Sequence, residues 1–584
     1  MPPSSVVTID NLSAKLPQWK PEAENHLYAI VDMGSNGVRF SITTMAPPTP
    51  RLLLPLFSTR ASISLFDALT PSSTGLVFPK ETISQVAEAL AGFHRTAVTH
   101  GVPQSQFYII ATEAMRRADN AGEMLSAIEG ATNGIGVQIL EPAVETLCGA
   151  VMGSRSGFVG VPGGALFLDL GGGSVQMTWV DTDIDGYEIN AATTGTSMGY
   201  GAAKLIRILE EKPAETQTME IETLRTSMAN AYGALCAQFP ALKAIVDAHR
   251  RGEDANLKVF MCGGGFRGYG YMLMHDDPIS PYPIPSVATY TVEGARFKQT
   301  AKMLSLNQTH EGKIFGMSSR RRRQFPAIVH VVEAFIGSVP NIEHVTFCGG
   351  SNRQGALMMM LTKEVRESNP LEALAAIAPA EKPIFDAVVQ LLTQSLPQEV
   401  TKERIPTVLE PGLANLFARD IWIRAGYDSD ANKTYALHNA LIRDPECPGL
   451  THVARAALGL TTSARWGSKY APVDASLAQG LQRILAMHHA DAPFWAQYLG
   501  GIAALLATLL PFQPRSAAEL LNSIKFEARI VEQDASTVLK LNITLSPELA
   551  KRNTADELSD MIKSATKKTP AGPTKVSVKV KEQI

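Results

Sequence analysis

Two similar glycine-rich turns, each preceded by an apolar run that ends in an aspartate, are the residues of this chain with the clearest chemical potential. The first is YAIVDMGSNGVRF at 28–40, and the second is ALFLDLGGGSVQMTWV at 165–180. Glycine lets backbone N–H groups approach an oxyanion without a Cβ in the way. A β-like run follows each turn, which predicts a hairpin rather than the strand–loop–helix of a P-loop. A pair of such hairpins indicates a two-lobed protein that clamps a phosphate chain.

Each turn also brings a carboxylate that suits a hydrated cation. Asp32 and Asp169 are each predicted to lie at a strand end, one in each lobe, and we expect both to hold Mg²⁺ through water. The predicted phosphate-binding residues of the turns themselves are Gly34, Ser35, Asn36, Gly171, Gly172, Gly173 and Ser174.

Bulk properties restrict the class of protein. A chain of 584 residues is too long for one core, so several domains are expected. A net charge of −3 gives no general attraction to nucleic acid, so we expect no nucleic-acid partner. Five scattered cysteines without CxxC spacing favour a reducing compartment. The N-terminus has no signal-peptide pattern, and the longest apolar run, 498–510, is too short to span a bilayer, so a cytoplasmic protein without a membrane partner is expected.

The elements that must position these residues follow from hydrophobic periodicity. Strand and helix patterns alternate over the first half of the chain, which indicates an α/β fold, whereas 371–512 is almost entirely helical. The predicted segments are a tail or short docking strand at 1–25, a first lobe at 26–146, a second lobe at 147–365 whose last helix returns to the first, a helical domain at 366–515 and a small α/β domain at 516–584.

Further motifs resemble the exopolyphosphatase/guanosine pentaphosphate phosphatase family, a branch of the superfamily of actin, sugar kinases and the heat-shock chaperone ATPase. These are ATEAMRRADN at 111–120, MGYGAAKL at 198–205, GGGFRGYG at 263–270 and CGGSNRQGAL at 348–357. The resemblance covers about 27–363 and weakens in the helical part. It implies a two-lobed, ribonuclease H-type fold, then an all-α domain and a small C-terminal α/β domain. It also implies that Arg39, Arg116, Lys204 and Arg267 face the phosphates, and that a homodimer forms.

Members of that family hydrolyse the terminal phosphoanhydride of polyphosphate or guanosine pentaphosphate, which implies catalytic roles for Asp169, Arg116 and a glutamate. The family's adjacent glutamate pair falls on Val144 and Glu145 without gaps, and a shift of one residue would give the catalytic role to Glu145. Gln176 stands where the family has a glutamate, and an amide cannot accept a proton from water. Glu113 could compensate, although an ordinary surface or capping charge is the preferred interpretation.

Two other clusters leave alternatives open. The arginines at 320–323 could form a nuclear-localisation patch, a track for polyphosphate along the cleft, or a solvated helix start with one family contact, the last being preferred. The helical part contains His438, His452, His488, His489 and Asp491, but no adjacent His-Asp pair, so we expect a degenerate, structural version of a His-Asp domain.

Three functions are compatible with these residues. The preferred one is a cytosolic regulatory sensor that binds polyphosphate or a nucleotide of the ATP or GTP type with Mg²⁺. It would report to a signalling partner, and the flanks resemble a fungal branch of the family that signals from mitochondria to the nucleus. The alternatives are an active phosphoanhydride hydrolase that uses Glu145, and an interaction scaffold with a vestigial site.

Overall fold

The computed structural model describes residues 5–73, 75–155, 160–424, 429–442, 447–467, 469–533, 536–567, 569 and 571–583. The chain forms two compact units. The first comprises Met1–Asp276 and Ser286–Ser368, and the second comprises Asp277–Pro285 and Asn369–Ile584.

The strands alternate with helices in the first unit and return at the end of the second. They are β1 (Val6–Val7), β2 (Leu27–Gly34), β3 (Gly37–Thr44), β4 (Leu54–Ala61), β5 (Thr70–Pro71), β6 (Leu76–Val77), β7 (Phe107–Ala111), β8 (Val137–Leu140), β9 (Ala165–Leu170), β10 (Val175–Val180), β11 (Thr196–Met198), β12 (Leu257–Cys262), β13 (Thr291–Glu293), β14 (Ile342–Phe347), β15 (Ile524–Gln533), β16 (Ser536–Leu545) and β17 (Lys575–Glu582).

Most of the helices of the first unit cover its sheets. They are α1 (Leu12–Lys15), α2 (Leu65–Ala68), α3 (Lys80–Thr99), α4 (Glu113–Arg117), α5 (Ala121–Ala131), α6 (Pro142–Thr146), α7 (Tyr187–Thr194), α8 (Ala202–Glu211), α9 (Ala214–Gln238), α10 (Pro240–Arg250), α11 (Gly263–His275), α12 (Gly294–Phe297), α13 (Thr300–Thr309), α14 (Ser319–Ser338), α15 (Asn352–Met360) and α16 (Lys363–Arg366). A π-helix, Leu147–Gly153, continues directly from α6 and is buried throughout.

The second unit is mainly helical. Its helices are α17 (Pro370–Ala375), α18 (Lys382–Gln394), α19 (Gln398–Glu403), α20 (Leu413–Asp420), α21 (Ser429–Ile442), α22 (His452–Ala464), α23 (Pro472–His488), α24 (Ala492–Leu509), α25 (Ala517–Ser523), α26 (Pro547–Arg552) and α27 (Ala555–Thr566). Short 3₁₀ turns lie at Pro50–Leu52, Gln104–Gln106 and Thr407–Leu409.

Among the described residues, the first unit has two six-stranded sheets built on one plan. Their orders are β1-β8-β7-β2-β3-β4 and β11-β10-β9-β12-β14-β13. Each has an antiparallel hairpin, β2–β3 or β9–β10, whose first strand also pairs in parallel with a strand later in the chain. The runs before both aspartates are apolar without alternation because helices cover both faces of these strands. The doubled hairpin expected from the sequence is therefore confirmed.

The first described residues dock onto the sheet of the first lobe. Strand β1 pairs in parallel with β8 at its edge. The following turn buries Leu12, Leu16 and Trp19, and the Trp19 indole N–H donates to the Met45 carbonyl at 3.0 Å. Of the two structures expected for this segment, a tail or a docking strand, the protein has the docking strand.

One hydrophobic core joins the helical part of the second unit to its three-stranded sheet, β15-β16-β17. Helix α24 runs through that core; its length and composition would suit a membrane span, but 78% of the helix is buried in the protein. The core also includes Ile279 and Ile284, which come from the short segment that leaves the first unit and returns to it. The segments expected at 366–515 and 516–584 thus share one core.

Candidate phosphate-binding site

The two glycine-rich turns line the same cavity of the first unit, whose volume is about 690 Å³ when the open solvent at its surface is counted. The turns approach each other closely: a Cβ on Gly173 would lie 2.9 Å from the Ser35 Oγ. The lining residues are Asp32, Gly34, Ser35, Asn36, Gly37, Arg39, Thr112, Glu145, Asp169, Gly171, Gly172, Gly173, Ser174, Gln176, Gly263, Gly264, Arg267, Ser351 and Asn352.

Asp32 lies at the end of β2 and is 7% exposed. Its cross-strand partner on β3 is Arg39. The Oδ1 atom of Asp32 is buried without a hydrogen-bond partner. Burial raises the pKa of this carboxyl above its ordinary value, and the Arg39 and Arg353 guanidinium groups act in the opposite direction. A buried carboxylate oxygen with no partner is costly unless a ligand or cation satisfies it.

Asp169 ends the corresponding strand β9, and glycines make the space for its carboxylate. Gly263 has φ +84°, and a Cβ there would overlap the Asp169 Oδ1. A Cβ on Gly149 of the π-helix would lie 2.5 Å from the Asp169 Oδ2 and 2.8 Å from the Asn352 Oδ1. Burial raises the pKa of Asp169, while Arg267 opposes that shift. Asp169 and Asn352 therefore both approach the space that Gly149 leaves open.

These oxygens fit a hard cation such as Mg²⁺. The Asn352 Oδ1, like the Asp32 Oδ1, is buried without a hydrogen-bond partner. Carboxylate and amide oxygens are the ligands that Mg²⁺ prefers, with water completing its shell. Across the described residues, no group of three or more His, Cys, Asp or Glu side chains could hold a metal ion by itself. The donor set therefore suits a cation that keeps several waters or phosphate oxygens.

Two arginines supply positive charge to the cavity. Burial lowers the pKa of Arg39 to about 10, with a further contribution from the nearby Arg267. One terminal nitrogen of Arg267, on α11, donates to the Gly349 carbonyl at 3.0 Å and to the Gly350 carbonyl at 2.9 Å. Two like charges held close together in a partly desolvated cavity favour an anion beside them.

On α6, the structure places the side chain of Glu145, and not that of Val144, at the cavity. Val144 is 0% exposed and packs in the core, whereas Glu145 lines the cavity. The Glu145 Oε2 accepts from Arg116 at 2.6 Å, and Arg116 also pairs with Glu113 at 2.8 Å. Burial raises the pKa of Glu145 from 4.5 to about 7; Arg116 opposes this shift, and Asp169 and Glu113 add to it. A carboxylate with a pKa near neutrality suits proton transfer from water.

Gln176 on β10 is opposite Asp169 and lines the same cavity. Its side chain is 2% exposed, and its Nε2 donates to the Ser174 Oγ at 2.7 Å and the Ser197 Oγ at 3.0 Å. The amide thus ties the second turn to β11. It adds no charge where the resemblance leads one to expect a carboxylate.

Two residues expected to face the phosphates are not in the cavity lining. The Lys204 Nζ donates to the Gly199 carbonyl at 2.6 Å and lies 5.1 Å from the centroid of the Tyr200 ring, so the ammonium caps the turn before α8. Arg116 instead pairs with Glu145 and donates to the Leu140 carbonyl at 2.5 Å. The two ion pairs of Arg116, with Glu113 and Glu145, explain why its guanidinium is held outside the cavity lining.

The arginines at 320–323 begin α14 and are used locally. Arg320 donates to the Asn36 carbonyl of the first turn at 2.6 Å. Arg321 donates to the Gly316 carbonyl at 2.7 Å, and Arg322 donates to the carbonyls of Asn307 and His310. Arg323 pairs with Glu210. These contacts favour the interpretation as a helix start with one contact to the phosphate turn.

The histidines expected to be structural have ordinary partners. His438 hydrogen-bonds Asp474 at 2.8 Å, and the Tyr282 hydroxyl lies 2.7 Å from the His452 Nδ1. Asp491 accepts from Arg404 at 2.7 Å.

Seven lining residues were not among the predicted site residues: Gly37, Thr112, Gln176, Gly263, Gly264, Ser351 and Asn352. A signal for most of them was present in the sequence, because β12 and β14 each run into a glycine motif that carries the family resemblance. The approach of Gly149 to Asp169 had no such signal, since it depends on the π-helix.

Comparison with known proteins gives two family matches that together span nearly the whole chain. Residues 46–364 match the Ppx/GppA phosphatase family, and residues 369–584 match the RTG2 C-terminal domain. Retrograde regulation protein 2 of Saccharomyces cerevisiae is 31% identical over 502 residues, which is 83% of this chain and 81% of the yeast protein.

Solved structures with some likeness include an exopolyphosphatase from Cytophaga hutchinsonii, at 19% identity and a TM-score of 0.43, which covers 57% of this chain and 97% of its own. The Aquifex aeolicus Ppx/GppA phosphatase has 16% identity and a TM-score of 0.42, over 57% of this chain and 98% of its own.

Proposed function

Because the chain belongs to the Ppx/GppA phosphatase family, we propose that its cavity binds a phosphate chain, either polyphosphate or the phosphates of ATP or GTP, together with Mg²⁺, and acts as a regulatory sensor. One observation carries this proposal: two glycine turns from separate sheets face one cavity with Asp32, Asp169, Arg39 and Arg267. Their backbone N–H groups and the two guanidinium groups suit phosphate oxygens.

The same cavity is less well equipped for turnover than for binding. Gln176 replaces a carboxylate, and the remaining candidate base, Glu145, is engaged by Arg116. Asp32, Asp169 and Asn352 would hold the cation, which would neutralise phosphate charge and orient the chain. A ligand that contacts both turns binds more tightly when the turns lie close together than when they lie apart. Ligand binding in the cavity therefore shifts the two lobes toward the closed state.

The similarity to yeast retrograde regulation protein 2 supports the biological context of the proposal. We infer a cytoplasmic regulatory protein in mitochondria-to-nucleus signalling, whose ligand-dependent closure is read by a signalling partner. A homodimer is part of the same proposal. If loss of the phosphate site left partner binding and signalling intact, a scaffold role would replace the sensor role.

The test is ligand binding by the purified protein. Tripolyphosphate, ATP and GTP are titrated with and without Mg²⁺ by calorimetry, and melting temperature is recorded in parallel. At least one of them should bind and raise the melting temperature, more strongly with Mg²⁺. Arg39→Ala should weaken binding by roughly 10-fold or more, since a charge-assisted hydrogen bond contributes about 1.5–3 kcal/mol.

Arg225→Ala is the matched control, because Arg225 is an exposed arginine of the same unit that pairs only with Glu222 in the described structure. It should bind as the wild type does. Absence of binding and of any thermal shift with all three ligands would sink the sensor proposal.

Phosphoanhydride hydrolysis is a second candidate, favoured by the position of Glu145 in the cavity and its pKa of about 7. Glu145 would accept a proton from water as the water oxygen attacks the terminal phosphorus and the bridging P–O bond breaks. Phosphate release from long-chain polyphosphate and guanosine pentaphosphate should then fall about 10²–10⁴-fold in Glu145→Gln with binding retained. Unchanged release in that variant would exclude this role.

A further inference from the structure

A second, shallow cavity lies in the helical unit, and its volume is about 360 Å³ when the open solvent at its surface is counted. Three stretches of chain form it: the end of α20 with the residues after it, one face of α21, and the end of α22. Its lining residues are Asp420, Ile423, Arg424, Tyr435, Ala436, Asn439, Ala440, Thr462, Arg465 and Trp466.

The cavity combines two aromatic rings with two guanidinium groups. The Arg424 Cζ lies 4.3 Å from the centroid of the Tyr435 ring, and the Arg465 Cζ lies 4.2 Å from that of Trp466. Tyr435 is 41% exposed although it is a large aromatic residue. Exposed aromatic faces backed by arginine are typical platforms for the planar ring of a ligand.

The two arginines have no carboxylate partner within the part of the chain that the structure describes. Among the described residues neither Arg424 nor Arg465 forms an ion pair; the Arg424 Nε donates to the Asn432 Oδ1 at 2.7 Å, and Arg465 donates to the Arg424 carbonyl at 3.2 Å. The Nε of Arg465 is buried with no hydrogen-bond partner. Burial lowers the pKa of Arg465 to about 10, and no carboxylate offsets it. Arg424 and Arg465 outnumber Asp420, the one carboxylate among the lining residues, and this excess of positive charge favours an anionic ligand.

The remaining lining residues narrow the class of ligand. Ile423, Ala436 and Ala440 provide apolar contact for a ring, while Asn439 carries an amide for its edge. From these groups we propose a nucleotide-binding site in the helical unit, with the base against Tyr435 or Trp466 and the phosphate at Arg424 and Arg465.

This site differs from the phosphate cavity, because it would bind the ring of a nucleotide as well as its phosphate charge. It requires neither Asp32 nor Asp169 of the glycine turns.

The test uses the full chain in EDTA, with methylanthraniloyl-labelled ATP and GTP followed by fluorescence anisotropy. At least one should bind, and binding should persist in Arg39→Ala, which weakens only the phosphate cavity. Tyr435→Ala and Arg465→Ala should each weaken binding about 10-fold to 100-fold.

The controls separate a specific site from a disturbed fold. Tyr435→Phe keeps the ring and should bind within a factor of about three of the wild type. Arg552→Ala removes an exposed arginine of the same unit that pairs with Glu548, and it should change nothing. Unlabelled ATP or GTP should displace the label at least 10-fold better than tripolyphosphate, which has no ring.

The proposal is overturned if neither labelled nucleotide binds up to millimolar concentration. It is also overturned if Tyr435→Ala and Arg465→Ala bind as the wild type does, or if tripolyphosphate competes as well as the nucleotides. Equal losses in Tyr435→Phe and Tyr435→Ala would likewise contradict stacking on this ring.

Discussion

Glu145 connects the stability of the first unit to pH. Its folded-state pKa of about 7 lies above the ordinary value of 4.5, chiefly because the carboxyl is buried. The folded state therefore holds the proton more tightly than the unfolded chain does. This contribution to stability is complete below about pH 4.5 and is lost as the pH rises through about 7, a loss of about 3 kcal/mol at most.

Glu145→Gln imitates the protonated carboxyl at every pH. The variant should melt roughly 2–6 °C above the wild type at pH 8, and the difference should shrink toward zero at pH 4.5, as calorimetry without ligand can measure. Asp185→Asn is a suitable control, because Asp185 is an exposed carboxylate that pairs with Lys363. If Glu145→Gln melted below the wild type at pH 8, the ion pair with Arg116 would stabilise the charged Glu145 carboxylate more than burial destabilises it.

Gln176→Glu would restore a carboxylate beside Asp169. The hydroxyls of Ser174 and Ser197 can donate to a glutamate where they now accept from the amide. Release of phosphate from long-chain polyphosphate with Mg²⁺ should rise by at least about 10-fold, since a positioned base contributes about 10²–10⁴-fold. Unchanged release with intact tripolyphosphate binding would mean that this position does not limit hydrolysis.

The residues of the site were predictable where the chemistry is local to one motif. Asp32, Asp169 and both glycine turns could be found because strand, aspartate and glycine succeed one another in the sequence. Lys204 and Arg116 are not among the lining residues, because long cationic side chains can reach several neighbours and tertiary contacts decide among them. For Lys204 the competing contacts were the Gly199 carbonyl and the Tyr200 ring.

At the scale of elements, the second glycine turn is supported from beneath by the start of α8. The N–H groups of Ala202 and Ala203 donate to the Gly171 and Gly172 carbonyls at 3.0 and 2.9 Å. A Cβ on Gly201 would overlap the backbone of Gly172 and Gly173. This close approach fixes the turn against the helix.

Gly201→Ala should therefore displace the turn and weaken tripolyphosphate binding about 10-fold or more, because the backbone N–H groups lose their alignment with the phosphates. Gly233→Ala on α9 is the matched control, since its Cβ would meet nothing within 4 Å. Binding by Gly201→Ala at wild-type strength would contradict the role of the turn.

Strand bounds were predicted closely because buried parallel strands are continuous apolar runs. The apolar runs at 27–33 and 107–111 predict strands, and these correspond to β2 and β7. The π-helix was not predicted, because no residue pattern distinguishes it from an α-helix of the same composition. The position of Glu145 could therefore be settled only by the structure.

At the scale of the whole molecule, part of the hydrophobic core of the second unit comes from the upstream segment Asp277–Pro285. Ile279 and Ile284 are 3% and 1% exposed in that core, although the rest of the unit begins at Asn369. Hydrophobic periodicity cannot assign a segment of nine residues to a unit that begins far downstream. The contribution of this segment to the core of the second unit was therefore not predicted.

Ile284→Ala should destabilise the second unit by about 2–5 kcal/mol, as large-to-small changes in a core do. Hydrogen exchange measured by mass spectrometry should show faster exchange of the α24 amides, with the amides of β2 unaffected. Val473→Ala, at a position that is 81% exposed, serves as the control and should exchange as the wild type does. If the α24 amides exchanged equally slowly in Ile284→Ala and in the wild type, the segment Asp277–Pro285 would contribute little to the stability of the second unit.

The π-helix at Leu147–Gly153 also has a consequence for the helix register of α6, which directly precedes it. A π-turn holds one residue more than an α-turn, so it is the form that a single-residue insertion takes when a helix absorbs it without breaking. In an uninterrupted α-helix, by contrast, one added or removed residue turns the chain on one side by roughly 100° relative to the other. The π-turn can therefore take up one residue while Val144 stays in the core and Glu145 stays at the cavity.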